Sequence, residues 1–183
     1  MESDQAMDRF LAGIERRALR MAEFATGSRD ASLDLVQDAM MRLVQRYATR
    51  PSEQWPPLFH RILQNGIRDW YRREGLRRRL RLWIGGQWDP HQEDASADPM
   101  DTLPDHQAVD PLDGLADGQA MEALERALRA LPRRQQQTFL LRAWEGLGVA
   151  DTARVMGCSE GSVKTHYSRA VHALRKQLEA HWP

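Results

Sequence analysis

The sequence predicts an all-α protein in which two small helical domains are joined by a flexible acidic linker. Apolar residues recur every three or four positions in several segments, and no segment alternates with the period of a strand. The length of 183 residues suits one or two small domains. Residues 89–118 hold nine acids and no cation, so we predict a linker over 83–118 between domains at 1–82 and 119–183.

Two helices open the N-terminal domain. The first is predicted over residues 6–26, and the second runs from a cap at Asp30 to about Tyr47. The second helix should bury an apolar stripe formed by Leu33, Val36, Met40, Leu43, Val44 and Tyr47. Its other side sets Met41 among acidic and amide groups, which favours a protein partner because interfaces enrich methionine and arginine. An ordinary solvated face is the alternative.

A third predicted helix, residues 58–81, separates apolar from basic residues. Its apolar side holds Leu58, Phe59, Ile62, Leu63, Gly66 and Trp70. The opposite side carries a stripe formed by Arg61, Asn65, Arg68 and Arg72. Such a stripe can follow a phosphate backbone, and Asn65, Trp70 and Tyr71 could contact unstacked bases. A solvated arginine face is the alternative, and for Trp70 we favour the core.

Charge falls into three blocks although the net charge is zero. Residues 1–88 carry 16 arginines against 11 acids, and residues 119–183 carry ten cations against six acids. Arginine supplies 24 of the 26 cations, and its planar fork suits phosphate and guanine edges, although a GC-rich genome gives the same bias. The acidic linker between the basic blocks either tethers two domains or occupies a basic channel in a partner.

Two helices are predicted between the linker and the C-terminal motif. The first begins at Gln119, stops at Pro132 and carries the apolar residues Met121, Leu124, Ala127, Leu128 and Leu131. The second covers residues 133–144 and packs Phe139, Leu140 and Ala143, with Leu141 or Trp144 at the margin.

A helix-turn-helix pattern follows. A short helix is predicted at 151–156, with the small residue Ala153 where a second helix can approach closely. The helix ends at Gly157, which can take a positive φ, and Ser159 is a suitable N-cap for the longer helix that follows. The longer helix buries Val163, Tyr167, Ala170, Val171, Leu174 and Leu178. Its outward face is small, hydroxylated and basic, with Gly161, Ser162, Thr165, Ser168, Arg169, His172 and Lys176. This outward face suits a DNA major groove.

Other classes of function are disfavoured by what the sequence lacks. There is no apolar run of about 18 residues and no secretory signal, so no membrane insertion is expected. The single cysteine, Cys158, fits a reducing cytoplasm and is expected to be a small buried hydrophobe. No Gly-rich phosphate loop, metal-ligand spacing or nucleophile motif is present. We therefore expect no catalytic residue, no cofactor and no metal.

Together these segments resemble a sigma factor of bacterial RNA polymerase, of the extracytoplasmic-function (ECF) class in the sigma-70 family. Residues 34–38 and 41–43 look like the family's region 2.2, and residues 60–65 and 69–73 look like region 2.3 to 2.4. The family's region 4 has its likeness in four further segments, residues 128–132, 139–142, 145–146 and 159–173. The segments stand in family order with an acidic linker between them. The resemblance implies a region 2 three-helix unit and a region 4 helix-turn-helix.

The resemblance also implies roles for residues at matching positions. The clamp coiled coil of core RNA polymerase would dock on Asp34, Gln37, Asp38, Met41 and Arg42. The melted −10 element would be engaged by Arg61, Asn65, Arg68, Arg72 and Arg73. The −35 duplex would be read by Lys164, Thr165, Ser168 and Arg169, with Ser162 and Arg154 at phosphates. Further implied partners are the polymerase flap and an anti-sigma factor that holds such proteins inactive.

Two other functions stay open at this point. An autonomous helix-turn-helix regulator would bind duplex DNA as a homodimer without polymerase, which leaves the basic third helix unexplained. A non-DNA adaptor would use its N-terminal helices to bind protein alone, which leaves the outward face of the last helix unexplained. The favoured hypothesis is a sigma factor that binds core polymerase and directs promoter-specific initiation.

Overall fold

The computed structural model describes residues 2–84 and 115–179, with side chains over 5–76 and 121–179. All regular structure in those residues is helical, which confirms the predicted class. The helices are α1 (Glu2–Thr26), α2 (Arg29–Tyr47), α3 (Trp55–Ile84), α4 (Leu115–Ala130), α5 (Arg133–Phe139), α6 (Val149–Met156) and α7 (Glu160–Leu178). A 3-10 turn, Ser52–Gln54, precedes α3, and a π-helical turn, Leu140–Trp144, continues α5.

The predicted linker, 83–118, overlaps the last residues of α3 and the first residues of α4. Residues 83–84 and 115–118 are helical, and residues 85–114 lie outside the described residues. The division into domains at 1–82 and 119–183 stays a prediction. Helices α1–α3 are called the N-terminal unit below, and α4–α7 the C-terminal unit.

The N-terminal unit is a three-helix arrangement in which α2 contacts both α1 and α3. Its centre is filled by fully buried Ala18, Met21, Leu43, Phe59 and Leu63. The hydroxyls of Thr26 and Ser32 lie 2.8 Å apart and join the end of α1 to the start of α2. These contacts hold α2 and α3 side by side, so their outward faces form one continuous surface.

The C-terminal unit packs α4, α5 and α6 against α7. The Gln136 side chain donates a 2.9 Å hydrogen bond to the carbonyl of Leu128, which fixes α5 to the end of α4. Phe139 stacks on Tyr167 with ring centroids 6.2 Å apart. Val163, Ala170 and Leu174 are buried, so one face of α7 is anchored and the opposite face is left outward.

The helix-turn-helix geometry is confirmed at its turn. Gly157 has φ +65°, and the amide of Cys158 donates a 3.1 Å hydrogen bond to the Ala153 carbonyl, closing α6. The Ser159 hydroxyl accepts a 3.1 Å bond from the Ser162 amide, so Ser159 caps α7. Cys158 is half-buried and packs against the core, close to its predicted place.

The prediction for α2 is wrong in two details. Its N-cap is Ser28, whose hydroxyl accepts a bond from the Ala31 amide, and not Asp30. Leu33 and Val44, predicted in the core, are 45% and 42% exposed. The buried stripe instead comprises Ser32, Leu35, Val36, Ala39 and Leu43, because α1 and α3 contact a face turned away from Leu33.

Predictions around three other residues are also corrected. Met121 is 51% exposed, because the buried face of α4 runs through Ala123, Ala127 and Leu128. The π-helical turn inserts an extra residue into α5, shown by the bond from the Glu145 amide to the Leu140 carbonyl. Leu141 is therefore fully buried, whereas Ala143, predicted to pack, is exposed.

The hydrophobic core is continuous between the two units. Buried residues of α1 and α3 belong to the same cluster as buried residues of the C-terminal helices. Contacts run between α1 and α4 and between α3 and α6. The sequence did not predict that the two units pack directly on each other.

Candidate polymerase and nucleic-acid interfaces

A groove of about 550 Å³ lies between the outward faces of α2 and α3. It is lined by Ala31, Asp34, Leu35, Gln37, Asp38, Met41, Trp70 and Arg73, and is called the docking groove below. Four of the five residues predicted to bind polymerase line it. The fifth, Arg42, is exposed and pairs with Asp38 at 2.8 Å. The predicted protein-binding residues therefore form one surface.

An apolar strip extends this groove along α2. Leu33, Met41 and Val44 are 45%, 54% and 42% exposed, and they lie on one side of the helix at spacings of eight and three residues. Sequence reasoning assigned only Met41 to this surface. Exposed large apolar side chains beside acidic ones are typical of a protein interface.

The predicted arginine stripe of α3 is confirmed as an outward face. Arg61, Arg68 and Arg72 are exposed, and Asn65 is half-buried. Arg68 donates a 2.8 Å hydrogen bond to the Asn65 side-chain oxygen. This bond orients the Asn65 amide and leaves its NH₂ group as a donor for a base acceptor. Arg73, predicted to engage the −10 element together with the stripe, lines the docking groove.

Trp70 and Tyr71, both considered for contact with bases, are held by the core to different degrees. Tyr71, considered for base contact, is buried at 8% exposure, and its hydroxyl donates to the Ala25 carbonyl. Burial raises the pKa of the Tyr71 phenol above its ordinary value, and the neighbouring Arg133 guanidinium opposes that rise. Trp70, favoured for the core, is half-buried, packs edge-on against Tyr71 and lines the docking groove.

The outward face of α7 is called the recognition face, and its predicted residues are confirmed at the surface. Lys164, Thr165, Ser168 and Arg169 are exposed. Lys164 and Arg169 have no ion-pair partner within the described residues, so both charges are available to a ligand. The Thr165 hydroxyl donates a 3.0 Å bond to the Gly161 carbonyl.

The two predicted phosphate contacts flank this face. Ser162 is half-buried in the first turn of α7, where helix N–H groups favour an anion. Arg154 is exposed on α6 and pairs with Asp151. Both residues are close in the chain to those of the recognition face. Their side chains could contact the DNA phosphates that flank the groove.

Neither a metal-binding cluster nor a membrane-spanning helix is found among the described residues. No group of three or more metal-ligand side chains occurs there. No helix in the described ranges is long and apolar enough to cross a membrane.

Residues 121–174 match the sequence profile of Sigma-70, region 4, which covers the helix-turn-helix and the recognition face. The chain is 29% identical over 164 residues to the ECF RNA polymerase sigma factor BldN of Streptomyces coelicolor. That alignment covers 87% of this chain and 55% of BldN, so the chain spans little more than half of that relative's length. The ECF RNA polymerase sigma factor SigM of Mycobacterium tuberculosis is 29% identical, with 94% of this chain and 77% of SigM covered.

The fold is shared with a solved structure. The sigma factor RpoE of Bartonella quintana, solved in complex with the anti-sigma factor NepR, superposes with a TM-score of 0.65 at 23% identity. The superposition covers 94% of this chain and 96% of that chain.

These likenesses first define a class: a helical protein in which residues 121–174 match sigma-70 region 4 and include the helix-turn-helix. Over most of its length the chain is also similar to proteins named as ECF RNA polymerase sigma factors. The names of these relatives favour the sigma-factor hypothesis over the autonomous homodimeric regulator.

Proposed function

We propose that this protein binds core RNA polymerase and directs it to promoters by recognising a −10 and a −35 element. The observation that carries the proposal is the presence of three surfaces of different chemistry on one chain. They are the docking groove, the arginine stripe of α3 and the recognition face of α7. A domain at 1–82 would hold polymerase and the −10 element, and a domain at 119–183 would hold the −35 element, across a linker at 83–118.

The docking groove suits a helical segment of polymerase, such as its clamp coiled coil. Asp34 and Asp38 offer carboxylates at its rim, and Met41 offers an adaptable apolar contact. Leu33 and Val44 extend that apolar contact along α2. A partner helix with basic residues beside an apolar strip would bury these side chains while pairing with their charges.

The arginine stripe suits a melted strand. Arg61, Arg68 and Arg72 follow α3 at intervals that can track phosphates. Asn65, oriented by Arg68, is the candidate for hydrogen bonding to an unstacked base. Arg73 lies in the docking groove, where it can reach either the polymerase or the edge of the −10 DNA.

The recognition face suits duplex DNA. Within the described part of the chain, Lys164 and Arg169 are cations without an ion-pair partner on an anchored helix, and arginine pairs bidentately with guanine. Thr165 and Ser168 are exposed beside these cations and are short enough for close contacts with base edges. Ser162 and Arg154 supply the flanking phosphate contacts.

Neither unit alone can open base pairs with a few arginines, so the polymerase must share that energy. We further propose that the protein works in the cytoplasm, contacts the polymerase flap and has an anti-sigma partner. It uses no cofactor and has no catalytic residue of its own.

The test is multi-round transcription by sigma-free core polymerase on genomic fragments, with and without this protein. We expect discrete transcripts only when the protein is present. The DNA upstream of their start sites should share two sequence elements, one near −10 and one near −35. Tight sequence-specific binding to duplex without polymerase, and no transcripts with it, would support the homodimeric regulator instead.

A further inference from the structure

Arg68 and Asn65 form a hydrogen-bonded pair on the outward side of α3. The Arg68 Nη2 atom donates a 2.8 Å bond to the Asn65 side-chain oxygen, and the two residues are three positions apart on the helix. Neither side chain has a further hydrogen-bond or ion-pair partner among the residues that the structure describes. This bond is therefore the contact that fixes how the two side chains are presented to a ligand.

The helical segment that carries Asn65 is held firmly by the core. Leu63 and Ile67, on either side of Asn65 in the chain, are 0% and 3% exposed. A Cβ atom at the next residue, Gly66, would lie 3.1 Å from the Cδ2 atom of Leu35, so α3 approaches α2 closely here. Because the backbone is fixed, the orientation of the Asn65 amide group decides which ligand atoms it can meet.

The orientation of the Asn65 amide group is set by the chemistry of its partner. A guanidinium group carries N–H donors and no acceptor, so the amide atom that faces Arg68 must be the oxygen. The amide NH₂ group has no partner within the described residues and is available to a ligand. Arg68 also keeps N–H groups beyond the one that bonds to Asn65. The pair thus offers a ligand mainly donors, because its amide acceptor is already engaged.

The DNA bases differ in how well they match such a pair. An asparagine with a free oxygen favours adenine, because it accepts from the N6 amino group while it donates to N7. In the Asn65–Arg68 pair, an amino group beside the amide oxygen would also approach the guanidinium cation, which disfavours a second donor there. Guanine instead offers the adjacent acceptors O6 and N7, and the exposed Watson–Crick edge of an unstacked cytosine offers the adjacent acceptors O2 and N3. Thymine separates its acceptors by an N–H donor.

We propose that Arg68 is a positioning residue that orients the Asn65 amide, so that the pair selects an unstacked base with adjacent acceptors, guanine or cytosine, over adenine. This inference rests on the proposed function, because it assumes that the α3 stripe meets the melted −10 strand. It separates Arg68 from Arg72, its neighbour on the stripe. Arg72 lies 3.8 Å from Asp69 and has no bond to Asn65 in the described part of α3, so it supplies charge without orienting the amide.

The test is a binding assay with the full-length protein and core polymerase. The probe is a promoter fragment with a melted −10 segment, prepared with each base in turn at each non-template position of that segment. At one of these positions the wild type should bind guanine or cytosine about tenfold more tightly than adenine. That position identifies the base that Asn65 contacts, and the panel shows which of the two acceptor-bearing bases is read.

Arg68→Met removes the donor and frees the Asn65 oxygen while it keeps a long side chain. The amide group can then rotate and accept from adenine, so the preference over adenine at that position should be lost. Arg68→Lys keeps a cation that has donors and no acceptor, so it should retain most of the preference. Should Arg68→Met lose helix content by circular dichroism, Arg68→Ala removes the same donor.

The matched control is Arg72→Met, the same substitution one turn further along the stripe. It removes the same charge from an exposed position but leaves the bond between Arg68 and Asn65 in place. Its complex should bind the fragments more weakly by a similar factor whichever base is present, with the preference over adenine unchanged.

The outcomes separate this inference from the proposed function. A preference that survives Arg68→Met, that is lost equally in Arg72→Met, or that Arg68→Lys loses as completely as Arg68→Met would overturn the positioning role. Adenine or thymine as the preferred base, or no preference at any position, would overturn the selection of adjacent acceptors. If the wild type with core polymerase does not bind the melted fragment at all, the proposed function fails and this inference fails with it.

Discussion

The two helical units expose surfaces of different chemistry although both are built from packed helices. The N-terminal unit carries an acidic, partly apolar groove and an arginine stripe, whereas the C-terminal unit carries one small, hydroxylated and basic face. In the N-terminal unit two of these charged groups have neighbouring partners, since Asp38 pairs with Arg42 and Arg68 donates to Asn65. On α7, Lys164 and Arg169 have no ion-pair partner among the residues that the structure describes. We therefore expect the first unit to bind two kinds of partner and the second to bind one.

The largest expected effect is the loss of polymerase binding through the docking groove of the N-terminal unit. Asp38→Arg reverses a charge at the rim of the docking groove and places it beside Arg42, so co-purification with core polymerase should be lost. Thermal unfolding should be unchanged because Asp38 is exposed. Asp8→Arg, an exposed position on α1, is the control and should co-purify normally. Retained co-purification of Asp38→Arg would remove the groove from the polymerase interface.

Alanine substitutions at two leucines of α2 distinguish a role in core packing from a role in polymerase binding. Leu43 is fully buried, so Leu43→Ala should lower the free energy of unfolding by about 2–5 kcal/mol. Leu33 is 45% exposed, so Leu33→Ala should cost under about 0.5 kcal/mol of stability. Leu33→Ala should nevertheless weaken polymerase binding several-fold, measured by titration against core enzyme. Equal losses of stability in chemical denaturation would contradict the corrected register of α2.

The recognition face should act on sequence discrimination alone. Arg169→Ala should reduce the preference for the correct −35 element by about 1–3 kcal/mol if the guanidinium reads a base. Arg175→Ala, an exposed arginine near the end of the same helix, should leave that preference intact. Competition binding with single-base variants of the element measures both. Uniform weakening on every sequence would assign Arg169 to phosphate instead.

The smallest expected effect concerns alkaline pH. Burial raises the pKa of Tyr71 above 10.0, with Arg133 opposing the rise, so the folded chain holds the phenolic proton more tightly than the unfolded chain. The resulting stability is present below the ordinary pKa and is lost as pH rises through the raised one. Unfolding free energies of wild type and Tyr71→Phe, measured across that range, should converge as pH rises. Phenolate absorbance showing that all tyrosines ionise at or below the ordinary pKa would contradict this.

Local patterns allowed prediction where one helix determines its own geometry. Gly157, Ser159 and the buried face through Val163 follow from turn chemistry, capping and helical period, and the structure confirms them. Leu33 could not be assigned, because its exposure depends on which face of α2 the neighbouring helices cover. Leu141 was unpredictable for another reason, since a π-helical turn shifts the period within α5.

The contacts between the two helical units could not be predicted from the sequence. Arg20 and Glu125 are 105 residues apart in the chain, and His60 and Glu145 pair only once both units are folded. A lone histidine and a glutamate beside a turn glycine carry no local signal of that contact. The docking, −10 and −35 roles of individual residues remain predictions that the experiments above examine.

Two-point contact on one promoter is the central claim, and site-directed DNA cleavage tests it most directly. In a chain with Cys158→Ser, a cleavage reagent is attached either at Leu76→Cys, at an exposed position on α3, or at Lys176→Cys, at an exposed position on α7. In the presence of core polymerase, the reagent on α3 should cut near the −10 element and the reagent on α7 about 25 base pairs upstream, roughly 80 Å away. Cleavage of one shared segment by both reagents, or an identical pattern without polymerase, would contradict the account.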